Sequence, residues 1–248
     1  MKKLLFIMFF SFTFAFCDFV AEGNFPDDIE NEFKPTNSVV FDPLSGYNRV
    51  MTTFNDGFYT HVATPVSKGY AYVVPEVART GINNFFTNLM FPIRFVNNLL
   101  QFKFENASKE LGRFVVNTIW GLGGFMDQAT NTLDMKIYGE DFGQTLGYWG
   151  IGDGFHIVLP FLGPSNLRDT VGLVAGLSLA PTSQLAHNTI PYKIPQNNLQ
   201  EFGIDVLYKT NEYSFHPDFY EKIKADAIDL YPYLRDAYNQ KREKEIKE

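Results

Sequence analysis

The sequence predicts a mostly α-helical single domain built from short amphipathic helices. Three observations predict it. Apolar residues recur at spacings of three and four, and Pro or Gly interrupts each such run after a few turns. No segment shows clean strand alternation over many residues. Aromatic residues make up 17% of the chain, and 26 of them are Phe. An excess of Phe beside amphipathic helices points to a lipid or membrane interface.

The 248 residues suit one domain, or two small ones, with a sizeable core. Residues 1–17, MKKLLFIMFFSFTFAFC, place two lysines before a short apolar run, as a secretory signal does. No later run reaches the roughly 18 unbroken apolar residues of a spanning helix. Lys2 and Lys3 are the leader's only charges, so the remainder is more acidic than the chain's net −7. An acidic chain argues against nucleic acid and against docking by attraction to anionic lipid. Cys17 is the only cysteine, so no internal disulfide is expected. It is either the acceptor of a lipid anchor or the last residue removed with the signal. Phe16, immediately before it, fits a lipoprotein cleavage box poorly.

Residues 18–41 are acidic and turn-rich and read as a flexible tether. Asp42 can cap a helix opened by Pro43, with Leu44, Tyr47, Met51, Phe54 and Phe58 as one stripe. Taken alone, that stripe reads as core-facing. Pro65 and the Val73-Val74-Pro75 step end the unit. A second helix opens at Pro75-Glu76 and stops at Pro92. A third, from Ile93 to Phe104, sets Val96, Leu99 and Leu100 against Asn97 and Asn98. The fourth, Glu105 to Trp120, carries Leu111, Phe114, Val115, Thr118 and Ile119 on one side. Arg168 to Ala180 is helical, and Gly172 with Gly176 gives it a small-residue face that another backbone can approach. Pro181 to Gly203 reads as an extended connection. Helical pattern returns at Pro217, with Pro232 as a kink or a division. Residues 240–248 alternate in sign and read as a solvated, fraying end.

Glycines punctuate the centre. Gly121, Gly123 and Gly124 form one run, and Gly150, Gly152 and Gly154 another. Neither fits a phosphate loop or a dinucleotide fingerprint, since residue pattern and preceding element are both wrong. They read as turns or hinges where helices pass closely. Residues 140–169 surround the second run with aromatic and aliphatic side chains, so this stretch is ordered. It opens on Glu140-Asp141 and closes on Arg168-Asp169.

The catalytic inventory is thin. His61, His156, His187 and His216 show no metal-ligand spacing, so no metal is expected. Ser165 lies in Gly-Pro-Ser, which is not a nucleophile elbow; it reads as a helix cap before Leu167. Glu140-Asp141 reads as capping or arginine pairing in preference to an acid–base pair. No set of nucleophile, base and oxyanion donors assembles. The sequence points to a non-enzyme without a cofactor.

Four blocks carry a resemblance: DPLSGYNR with TFN (42–55), FVNNLLQ (95–101), GRFVVNTIWGLGGFMD (112–127), and EDFGQTLGYWG with LPFLGPSNLRD (140–169). A fifth, YPYLRDAYNQKR (231–242), is weaker. In order and spacing the chain resembles the MlaA/VacJ family from about 42 to 242. The resemblance implies a ring of amphipathic helices lying in one leaflet of the outer membrane around a central channel. It implies passage of stray phospholipid from the outer leaflet to a periplasmic lipid-carrier protein, and thence to an inner-membrane ABC transporter complex. It further implies association with a trimeric porin, and neither enzymatic activity nor cofactor. The expected organisation is a signal over 1–17, a tether over 18–41, the helical domain over 42–242 and a charged tail over 243–248. The stretch 181–213 matches no block.

In such a ring, apolar faces point to acyl chains and polar residues line the hole. The expected lining is Asn55, Asp127, Asp141, Gln144, Arg168 and Asp169, with Phe54 and Phe58 as gates. Arg168 stands first, because a guanidinium suits a phosphate diester. The competing reading is a soluble periplasmic helical scaffold or binding protein, in which the same helices close over a dry core.

Overall fold

A computed structural model describes residues 42–188 and 194–248. The expectations for the signal, the tether and Cys17 lie outside the described residues. Eleven α-helices follow in order among those described: α1 (Ser45–Phe58), α2 (Thr64–Val73), α3 (Glu76–Leu89), α4 (Phe91–Leu100), α5 (Phe104–Ile119), α6 (Gln128–Leu133), α7 (Phe142–Tyr148), α8 (Leu167–Leu177), α9 (Asn198–Tyr213), α10 (Phe219–Asp226) and α11 (Leu230–Lys247). A two-stranded antiparallel hairpin, β1 (His156–Leu159) and β2 (Gly163–Asn166), sits between α7 and α8. The predicted class holds: the chain is mostly helical, one domain, and its helices are short.

On α1, α4 and α5 the apolar side faces out, as the ring expectation has it and as the α1 stripe taken alone does not. On α5, Glu110, Arg113 and Asn117 are 0%, 3% and 5% exposed, while Leu111, Val115 and Ile119 are 45%, 44% and 69% exposed. On α4, Asn97, Asn98 and Gln101 are buried and Leu100 is out. On α1, Asn48, Thr52 and Asn55 are buried, and Tyr47, Val50 and Phe54 are exposed. Thus the α1 stripe does not face a core. Helices of a water-soluble domain bury the opposite stripe, because apolar area leaves water at roughly 25 cal/mol per Å². A fold that buries asparagine and glutamate and exposes valine and isoleucine must satisfy its interior with hydrogen bonds.

It does so by amide clamps. Asn48 accepts from Val158 N at 2.8 Å and donates to His156 O at 3.0 Å. Asn55, two helical turns on, accepts from Phe161 N at 2.7 Å and donates to Leu159 O at 2.9 Å. Two side chains of one helix therefore satisfy the free edge of β1, as a third strand would. The small apolar core lies beside this hairpin. It contains Tyr59, Leu159, Leu162, Tyr220, Ile223 and Leu234, with Tyr59 stacked on Tyr220 at 5.0 Å.

Other local readings are corrected too. Pro65 does not end the first helical unit. A π turn, Tyr59–Ala63, joins α1 to α2, and Thr64 N reaches back to Tyr59 O. The ladder changes spacing there, so the missing N–H of Pro65 falls at the join. Asp42 does not cap α1, which has no side-chain cap. Its carboxylate instead takes the Tyr231 hydroxyl and the Asn48 amide. Ser165 lies in β2, and Asn166 caps α8 by accepting from Asp169 N at 2.7 Å. The stretch 181–203 is not extended throughout, since Asn197 caps α9 from residue 198. Pro232 neither kinks nor divides α11. It stands in the first turn, where backbone N–H groups have no intrahelical partner.

Replacing Asn55 with Ala should lower stability in detergent by about 2–4 kcal/mol, since two buried backbone groups lose their partner. Replacing exposed Val50 with Ala should change it by about 0.5 kcal/mol or less. Thermal unfolding of the two variants side by side tests the amide clamp.

Candidate functional site

The inner faces of α3, α4, α7, α8, α9 and α11 enclose a cavity of about 570 Å³. Its wall is mixed. Carboxylates, amides and hydroxyls face Met90, Ile93, Phe142, Leu173 and Leu177 across it. Close helix packing builds one side. A Cβ on Gly172 of α8 would lie 2.4 Å from Gly143 N of α7, so only glycine permits this approach. That bears out the small-residue face at Gly172. Gly176 is looser, with Phe142 as its nearest neighbour at 3.9 Å.

An ion-pair network holds the same wall. Asp141 caps α7 in a capping box with Gln144, accepting from Gln144 N at 2.7 Å and donating its own N–H to the Gln144 amide at 3.0 Å. Arg242 of α11 forks onto Asp141 at 2.8 and 2.9 Å. The same guanidinium reaches Asp169 at 3.0 and 3.1 Å and Glu245 at 2.9 Å. Asp169 also takes the Tyr238 hydroxyl at 2.8 Å and Arg168 Nε at 2.9 Å. Burial pushes the Asp169 carboxyl up, but the Arg242 charge and the arginine hydrogen bonds outweigh it and hold it at about 2. The Tyr238 hydroxyl is driven well above its ordinary range, first by burial. Arg242 is raised as well: its burial disfavours the charge, and Asp141 and Tyr238 more than restore it.

The expected lining residues divide into two groups. Asp141, Gln144 and Asp169 front the cavity. Arg168 stands behind it, buried, with its guanidinium turned onto Asp169. Asn55 is in the hairpin clamp. Phe54 and Phe58 both pack edge-on against Phe161 at 5.0 Å, beside that clamp. Asp127 caps α6 and pairs with Arg113 at 3.0 Å, and Asn117 donates to it at 2.8 Å. Burial raises the Asp127 carboxyl, yet hydrogen bonds from Thr130 and Asn117 and the Arg113 charge bring it below the usual range. Of the glycines, Gly123, Gly124, Gly150 and Gly154 have positive φ. Gly121 has no room for a Cβ beside Met126 O, and Gly152 has open space.

The sequence reading missed Arg242 by assigning residues 240–248 to a fraying end. Helix α11 runs to Lys247, and Tyr238, Arg242 and Glu245 all face the cavity. Spacings of four and three put them on one side of a helix. A search for polar stripes would have found them. Ser165 also fronts the cavity, but its hydroxyl is shared with Thr170 at 3.2 Å and, among the described residues, with no histidine. Among the described residues no cluster of ligands could hold a metal ion.

Short helices, several of them with polar sides in and apolar sides out, and a cavity between them define the class of this fold. The chain belongs to the MlaA lipoprotein family, whose profile matches residues 40–245. The intermembrane phospholipid transport system lipoprotein MlaA of Escherichia coli is 39% identical over 137 residues, 54% of this chain and 55% of the relative. The Haemophilus influenzae protein of the same description is 35% identical over 135 residues, 54% of each chain. An uncharacterized Rickettsia typhi protein is 28% identical over 209 residues, 84% of this chain and 78% of the relative. A structure solved as the structural basis for maintenance of bacterial outer membrane lipid asymmetry matches with a TM-score of 0.68 at 30% identity. It covers 83% of this chain and 98% of that one.

His156 and Asp169 both contribute to acid stability. Burial lowers the His156 imidazole from 6.5 to about 4, with the Asp42 charge opposing. Asp169 falls from 3.8 to about 2. Both folded values lie below the unfolded ones, so the unfolded chain binds more protons and stability is lost as pH falls. The His156 contribution is complete above pH 6.5 and is lost as pH falls through about 4. The Asp169 contribution is complete above pH 3.8 and is lost towards about 2. A His156→Phe variant should flatten the first limb and leave the second, as urea unfolding across pH 7 to 2 would show.

Proposed function

We propose that this protein maintains outer-membrane lipid asymmetry by removing mislocalised phospholipid from the outer leaflet through its central cavity. The lipid then passes to a periplasmic carrier, for return by way of an inner-membrane ABC transporter complex. One observation carries this reading: α1, α4 and α5 turn apolar sides outward, and a cavity with a wall of mixed polar and apolar side chains lies inside. Acyl chains are the solvent that such an exterior needs. A headgroup is the cargo that such an interior suits. Family membership and the solved relative concerned with lipid asymmetry support the same conclusion.

No described helix is long and apolar enough to cross a membrane. Helices of 6 to 18 residues suit a body lying in one leaflet. Phospholipid and the outer membrane are thus the primary partners, with a trimeric porin as the protein neighbour that the family resemblance implies. Asp141, Gln144 and Asp169 are the lining residues of the passage, and Phe54 and Phe58 remain candidate gates at the hairpin. The chemistry required is desolvation and guidance, with no bond made or broken. That suits a non-enzyme.

Three experiments test this. Cells lacking the protein should accumulate surface-exposed phospholipid, measured by outer-leaflet labelling, and a normal outer leaflet would sink the proposal. Thr87→Trp, which narrows the cavity from α3, should fail to restore the deletion while unfolding at an unchanged temperature. Separately, Val115→Asp on the outer face of α5 should shift the protein out of the membrane fraction.

A further inference from the structure

The polar groups of the cavity wall differ in how far they are committed. Glu140, Asp141, Asp169, Glu212 and Glu245 front it, and each already holds a lysine or an arginine. Those pairs fix the helices and offer a ligand no spare charge. The part of the wall built by α3 and α4 is different. Thr80, Asn83 and Thr87 of α3 front the cavity at spacings of three and four, which aligns them on one helix face. None of their side chains makes a hydrogen bond among the described residues. Threonines of α1 instead bond back to their own helix, Thr52 to Asn48 O at 2.8 Å and Thr53 to Arg49 O at 3.0 Å.

The row ends at a cation. Arg94 of α4 fronts the same cavity, and its Nη1 donates to Thr87 O at 2.9 Å. Its Nε donates to Glu110 at 2.8 Å, and the second oxygen of Glu110 takes Tyr138 N at 2.7 Å. The Arg94 Nη2 makes no hydrogen bond among the described residues. From Thr80 to Thr87 is about 10 Å of helix, longer than one phosphate group.

A phosphate diester is anionic and accepts on its two non-bridging oxygens. Hydrogen bonds to an ionised acceptor are roughly twice as strong as those between neutral groups. On the ion-paired part of the wall a diester would have to displace a carboxylate. Along α3 it displaces only water. Several similar donors in a row hold an ester loosely at each step, which suits a passage better than a tight site.

We infer that Thr80, Asn83, Thr87 and Arg94 form a track for the phosphate diester of a phospholipid headgroup. This rests on the transport reading above and names the residues that guide its cargo. The hydroxyls and the amide are the steps, and Arg94 is the terminal contact. The ion-paired wall keeps its shape and does not receive the phosphate.

The test is a ratio of two lipids. Purified full-length protein in detergent is offered equal phosphatidylglycerol and diacylglycerol with the same acyl chains, and bound lipid is counted by native mass spectrometry. Diacylglycerol lacks the phosphate ester, so phosphatidylglycerol should be in excess. Thr80→Val, Asn83→Leu and Thr87→Val together stay close in shape, remove the donors and cut no tie in the fold. They should lower the ratio about ten-fold, the size of one hydrogen bond to a charged group. Asn83→Leu alone should lower it about three-fold. No excess in the unaltered protein, or an unchanged ratio in the variants, overturns the inference and leaves transport standing. Displacement of the lipid by equimolar glycerol phosphate also overturns it, since the track would then be a site for a free phosphate ester. No phospholipid bound by the unaltered protein overturns the transport reading as well.

Discussion

Everything in this fold rests on buried amides doing what buried alkyl groups do elsewhere. Asn48 and Asn55 complete the edge of β1 and so fix the hairpin to α1. The hairpin ends at Asn166, whose side chain starts α8. The first turn of α8 presents Asp169, and Asp169 receives Arg242 from the far end of the chain. Each step is a directional hydrogen bond, and each fixes an orientation as well as a contact. A greasy core would tolerate repacking at every one of these joints. An amide with two backbone partners does not.

The network around Arg242 shows the cost and use of such bonds. Removing the Arg242 guanidinium and the Asp169 carboxylate from water is expensive, and their mutual attraction repays it only with good geometry. Here the geometry is good, with two arms on Asp141, two contacts to Asp169 and a tyrosine hydroxyl on the remaining lone pair. The outcome is specificity of placement for α7, α8 and α11 around one cavity.

Helix positions were legible in the sequence because three-and-four spacing and proline breaks survive any environment. Their orientation was not legible from the stripe alone. An amphipathic helix has the same sequence whether water or lipid lies on its outer side, so Leu111, Val115 and Ile119 say nothing of direction. Only the whole-chain excess of Phe and the family resemblance pointed outward. Asp141, Gln144 and Asp169, which front the cavity, flank the glycine-rich turns that close the helices together. Asn55 and Asp127 close two other sequence blocks and serve as ties, because an amide or carboxylate that can reach an unpaired backbone N–H or an arginine settles there. Arg242 was lost because an alternating-sign end looks solvated until a partner is known. Pro65 misled for a related reason, since a π turn has no local sequence signature.

The inverted interior bears on how the molecule comes to exist. Collapse in water is led by apolar surface leaving the solvent. Here many of the buried side chains are polar, while valines, isoleucines and aromatics of the outer faces stay uncovered. Apolar surroundings would cover those outer faces without disturbing the hydrogen bonds inside.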